Sequence, residues 1–163
     1  GIEIERAEVD FCRAKGLNVI YGDLNGKLKI GDGEHEVAFC SHVLEHLESP
    51  IQFLRECYRI LSKDGLLILG LPYEGTLSQL LGKDNYFYGH IGHLHSFTID
   101  NIKLLLTETG FNVVEIFVEP WPKEKLRKIR ILTNYLKLIQ RFPRRLALFL
   151  SNGYWIISQK IES

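Results

Sequence analysis

Strand-like and helix-like stretches alternate along this chain, and that rhythm narrows its fold more than any other feature. Residues 1–5 read as the end of a strand. Residues 6–15 follow as a helix, with Ala7, Phe11 and Ala14 at helical spacing and Gly16 as a stop. Short apolar strands are expected at 17–21 and 36–41. Pro50 opens a helix to residue 61, with Ile51, Leu54, Tyr58 and Leu61 on one face, because proline's missing N–H has no partner in a first turn anyway. Residues 63–65 read as a turn, and the unbroken apolar run 66–71 as a strand buried on both sheet faces. Thr98 caps a helix to residue 109, and Gly110 stops it. Strands are expected at 112–118 and 154–159. Such alternation predicts an α/β fold around a largely parallel sheet.

Composition fits a single globular domain over 1–163. With 45% hydrophobic residues and no net charge, the chain lacks the signature of disorder. No run approaches the ~20 apolar residues of a membrane span. Charge is unevenly placed: residues 1–120 carry 10 basic and 18 acidic side chains, residues 121–163 carry 10 basic and 2 acidic. The basic part lies in an insertion, 123–152, between the last two strands. Its stretch 124–150 reads as helical and interrupted near Pro143. An anionic membrane surface reached through 123–150 is one expected contact, and a helix face with its charges in water is the alternative. No nucleic-acid motif is present. Cys12, Cys40 and Cys57 show no C-x-x-C spacing, which suits a reducing, cytoplasmic setting, with or without membrane association. Cys40 is expected to be a buried small hydrophobe. The chain contains no Met and opens in mid-strand, so its true N-terminus is expected upstream.

Five tracts, in order, resemble the class I S-adenosylmethionine-dependent methyltransferases. G-I-E-I-E-R (1–6) is similar to that family's second strand, and G-L-N-V-I-Y-G-D-L (16–24) to its third. E-V-A-F-C-S-H-V-L-E-H-L (36–47) is similar to the fourth strand and the turn after it. R-I-L-S-K-D-G-L-L-I-L (59–69) resembles the next helix end, turn and strand. H-L-H-S-F-T (93–98) with T-G-F-N-V (109–113) resembles the helix and strand near the acceptor site. The opening also resembles the MetW subgroup, and V-L-E-H-L the ubiquinone-biosynthesis type. The resemblance implies a Rossmann-like sheet with an antiparallel last strand. The family's first strand and glycine-rich loop have no counterpart here. In the family that strand stands between the second and fourth, so a slot or forced contact is expected between 1–5 and 36–41.

The same resemblance assigns roles. Glu3, with Ile4 beside it, would receive the ribose hydroxyls of S-adenosylmethionine, since a carboxylate offers two acceptor oxygens. Glu5 is the competitor, and a solvated strand-end carboxylate the plain alternative. Asp23 and Leu24 would meet the adenine, although Gly22-Asp23 also reads as a simple turn. Ser41 and His42 would border the methionine end. His93 would act as a base toward the acceptor, or else pack as a structural ring beside Tyr86, Phe87 and Tyr88.

His42, Glu45 and His46 lie on one face at helical spacing. Some family members hold magnesium with E-x-x-E-H, but here His42 replaces the first Glu and suits magnesium poorly. The expectation is therefore local hydrogen bonding and no metal. His90, His93 and His95 lack a zinc spacing. The implied activity is methyl transfer to an oxygen or nitrogen of a small acceptor, lipid- or glycan-linked ones included, by the parent protein and not by these residues alone. A non-catalytic MetW-like partner subunit is the alternative.

Overall fold

A computed structural model describes residues 1–73, 92–119, 151 and 153–161. The sequence also predicts a helical piece near 76–81; it, His90, the aromatic tract 86–88 and the basic stretch 123–150 lie outside the described residues.

The order is β1 (Ile2–Glu3), α1 (Arg6–Ala14), β2 (Ile20–Tyr21), β3 (His35–Ser41), a 3-10 turn (Leu44–His46), α2 (Pro50–Ile60), β4 (Leu61–Pro72), α3 (Ile99–Glu108), β5 (Phe111–Glu119) and β6 (Gly153–Lys160). Four strands form one sheet in the order β3-β4-β6-β5. β3 and β4 run parallel, and β6 is antiparallel to both its neighbours. β1 and β2 pair in parallel as a separate ribbon.

The core lies on one face of the larger sheet. Leu67, Leu69 and Leu71 alternate along β4 toward that face and are fully buried. They meet Leu54 and Cys57 of α2, Ile102 and Leu106 of α3, and Phe111, Tyr154 and Ile156 of the neighbouring strands. Tyr154 is fully buried because its hydroxyl donates to the Phe97 carbonyl at 2.8 Å. Burying each such large side chain contributes roughly 1.5–3 kcal/mol. Thr98 caps α3 as expected, its hydroxyl accepting from the Asn101 N–H.

Four expectations need correction. The run 66–71 is not buried equally on both faces: Leu66 and Ile68 are only half-buried. On their side Phe39 stacks on Trp155 at 5.3 Å, yet stays 65% exposed. No described helix covers that side of Phe39. In α1 the buried residue is Val9, while Phe11 is 55% exposed, because no described element packs on the Ala7–Phe11–Ala14 face. The turn 63–65 does not interrupt β4. It is an excursion within it: His35 pairs with Leu61 and Val37 next with Leu66, and Asp64 takes φ 59° to let the strand rejoin. The strand expected over 17–21 shortens to Ile20–Tyr21.

An arginine clasp secures the loop before β3. Arg59 donates to Asp32 at 2.6 Å, Glu56 at 2.8 Å and the Ile30 and Leu28 carbonyls. Glu56 returns a contact by accepting the Leu28 N–H. The Arg59 hydrogen bond holds the Glu56 carboxyl below its usual range.

Between the ribbon and β3 lies a cleft of about 480 Å³. Ile2 and Ile20 line one side, Val37, Phe39 and Ser41 the other, and Leu24, Phe53 and Cys57 contribute between them. This is the slot expected between 1–5 and 36–41. Among the described residues no strand occupies it.

Candidate functional site

Two groups of side chains collect at strand ends. The first belongs to the ribbon. Glu3 ends β1, and Asp23 follows β2 after Gly22, whose N–H extends the ladder to the Glu3 carbonyl at 3.0 Å. A Cβ at Gly22 would meet Ile2 Cγ2 at 2.9 Å, so glycine permits the two strand ends to approach. Parallel pairing thus sends both carboxylates out from the same end of the ribbon.

Each carboxylate has a local duty on one oxygen. Glu3 Oε1 accepts the Ile4 and Glu5 N–H groups at 2.7 and 2.9 Å. Asp23 Oδ1 accepts the backbone and side-chain nitrogens of Asn25 at 2.8 and 3.1 Å, an Asx turn. The described hydrogen bonds leave Glu3 Oε2 and Asp23 Oδ2 as further acceptors. Oriented carboxylates with one oxygen in reserve fit the hydroxyls and amine of a nucleoside. Leu24 is half-buried against the core and shares the cleft lining with Ser41, so these two candidates are brought together. Ile4 is 52% exposed, and no described contact brings its side chain to them.

The second group follows β3. His42 takes φ 52°, a left-handed conformation uncommon for a residue with a Cβ, while its N–H donates to the Gly70 carbonyl at 2.9 Å. The chain then turns at once into Leu44–His46, which sends Glu45 inward. Glu45 is fully buried, and neither of its carboxylate oxygens has a hydrogen-bond partner. His42 Nδ1 stands 3.5 Å from Glu45 Oε1. The Glu45 carbonyl accepts from the Leu94 and His95 N–H groups at 2.8 and 3.1 Å, pinning the segment before α3 to this turn. Through that clamp the His93 ring meets His46 edge-on at 4.7 Å. His46 Nδ1 also lies 3.3 Å from the Gly92 carbonyl.

Local hydrogen bonding was the expectation for Glu45 and His46. It holds for His46, but the Glu45 side chain departs from it. Neighbouring groups sense this carboxylate. Burial foremost, with the Glu45 charge adding to it, pushes the Cys40 thiol up to about 12, so Cys40 is an inert core residue. Burial likewise raises the Tyr154 hydroxyl, with Tyr73 and Glu45 contributing. The meeting of His93 with Glu45 and His46 carries no local sequence signal, since the clamp joins Glu45 to Leu94 and His95, far along the chain.

The methyltransferase domain model matches residues 7–116. The chain belongs to this methyltransferase domain family. Among curated proteins it is 28% identical over 115 residues to a probable S-adenosylmethionine-dependent methyltransferase of Mycolicibacterium smegmatis, covering 69% of this chain and 43% of that protein. A Mycobacterium tuberculosis protein described in the same words is 32% identical over 85 residues, covering 52% and 30%. The chain therefore spans less than half the length of these curated relatives. Among solved structures, a SAM-dependent methyltransferase of Thermotoga maritima, titled a possible histamine N-methyltransferase, superposes with TM-score 0.72 at 17% identity, covering 99% of this chain and 72% of that one. One from Archaeoglobus fulgidus gives 0.69 at 24%, covering 98% and 75%. The fold is accordingly the Rossmann-like methyltransferase fold, mostly parallel with β6 reversed. S-Adenosylmethionine is the cofactor these relatives' descriptions name.

Proposed function

We propose that this chain serves S-adenosylmethionine-dependent methyl transfer to an oxygen or nitrogen nucleophile of a small acceptor. The observation that carries the reading is the pair of oriented carboxylates, Glu3 and Asp23, at adjacent parallel strand ends in a methyltransferase-family chain. When bound, the cofactor supplies a methyl group on a positively charged sulfur. Glu3 would receive ribose hydroxyls and Asp23 the adenine amine, with Leu24 against the ring. Ser41 and His42 would border the methionine end. The protein's contribution is then binding, alignment and exclusion of water.

Calorimetry of the expected parent protein, and not of these residues alone, with S-adenosylhomocysteine tests this. Losing a hydrogen bond to a charged group costs about 1.5–3 kcal/mol, so Glu3→Gln should weaken binding roughly 10- to 100-fold. Unchanged affinity in Glu3→Gln would remove Glu3 from the site. No binding by the parent protein would overturn the reading itself.

A further inference from the structure

Glu45, His46 and His93 each offer one ligating atom, and these atoms all lie within 4.8 Å of one another. We propose that they form a binding site for a divalent transition ion of the zinc class. The inference stands apart from the methyl-transfer reading and needs no cofactor.

Burial of the carboxylate is the first argument. Both Glu45 oxygens are enclosed without a hydrogen bond, and the ion-pair contact from His42 Nδ1, at 3.5 Å, engages Oε1 alone. Buried carboxylates are found hydrogen-bonded, paired or coordinating a metal, and among the described residues Oε2 has neither a hydrogen bond nor an ion pair. The second argument is the orientation of His46. A carbonyl can only accept, so the 3.3 Å contact to Gly92 makes Nδ1 the donor and leaves the Nε2 lone pair for a ligand. A ring N–H held by a backbone carbonyl is the usual support for a metal-binding imidazole. Third, the Leu94 and His95 bonds to the Glu45 carbonyl hold His93 to the turn, so the third donor is brought in by backbone hydrogen bonds.

Donor chemistry selects the ion. Two imidazoles and one carboxylate favour zinc, cobalt or iron(II), whereas magnesium prefers oxygen ligands. Three protein donors leave a coordination position for water or another ligand. Zinc bonds of ~2.0–2.1 Å require the donors to draw closer than their present spacing, a small side-chain adjustment. His46 and His93 are only half-buried, which gives the ion a way in. His93 would then be a ligand and not the base that the family resemblance suggests. The site also differs from the sequence-adjacent trio, since His93 replaces His42 as the third donor.

Cobalt(II) titration of the protein, followed by visible absorption, reads the site directly. Tetracoordinate cobalt bands that zinc displaces are expected. Zinc at a hundredfold excess over its Kd should raise the Tm by about 5–10 °C. His46→Gln and His93→Gln should each weaken cobalt binding by at least about 10-fold. His35→Gln, which alters an exposed histidine on β3, should leave it unchanged. Absence of cobalt bands in the unsubstituted protein would overturn the proposal, whatever the variants do. So would equal stabilisation by magnesium, or full cobalt binding by His46→Gln and His93→Gln.

Discussion

The four-stranded sheet and the β1–β2 ribbon are built from similar apolar sequence, yet they are secured very differently. β4 lies between two partners, and Leu67, Leu69 and Leu71 are enclosed by α2 and α3. The ribbon is two residues per strand, and of α1 only Val9 is buried. Phe11 has little beyond the Lys15 ammonium over its ring. Apolar residues thus stabilise only where a second layer meets them. The proposed sites are divided along the same line. The carboxylates suited to a nucleoside sit on the ribbon, while Ser41, His42 and the Glu45 cluster sit on the sheet, with the cleft between.

The largest expected effect concerns that division. A ligand spanning both bodies needs them held in fixed register, and among the described residues no backbone ladder does so across the cleft. The 163 residues by themselves should show no measurable affinity for S-adenosylmethionine in calorimetry. Micromolar binding would show that the ribbon is already in place and would break the comparison.

Next comes the core. Leu69→Ala removes a fully buried side chain between α2 and α3 and should cost about 2–5 kcal/mol in urea denaturation. Phe11→Ser should change the global value by less than about 0.5 kcal/mol, as an exposed position does. Equal losses would mean that the ribbon and sheet unfold as one unit.

Legibility in the sequence follows the same contrast. β3, α2, β4, α3, β5 and β6 were readable because periodicity there reports a real interior. Thr98 and Pro50 also marked helix starts by backbone chemistry that needs no tertiary context. The face of α1 was misread because Ala7, Phe11 and Ala14 have helical spacing but meet no second layer among the described residues. The strand ends Glu3, Asp23, Ser41 and His42 could be named from the order of tracts. Their local duties, such as the Asx turn at Asp23, could not be separated from ligand roles by spacing. The Glu45–His46–His93 cluster was invisible because a tertiary clamp makes it. Helical spacing pointed to His42, Glu45 and His46 instead, and the turn to a left-handed His42 redirects that set.

The finest test uses helix caps. Thr98 caps α3 with its side chain, whereas Glu5 at the start of α1 makes no side-chain cap bond. Thr98→Ala should lower global stability by about 1 kcal/mol, because α3 is part of the cooperative core. Glu5→Ser installs a favourable cap in α1. If the ribbon and α1 open independently, that gain belongs to the local opening equilibrium alone. Hydrogen exchange should then slow at amides of α1, while the urea midpoint stays unchanged and β4 amides keep their rates. A raised urea midpoint in Glu5→Ser would place α1 in the same cooperative unit as the sheet. The contrast would then be one of burial only, and the cleft would separate two faces of a single folding unit.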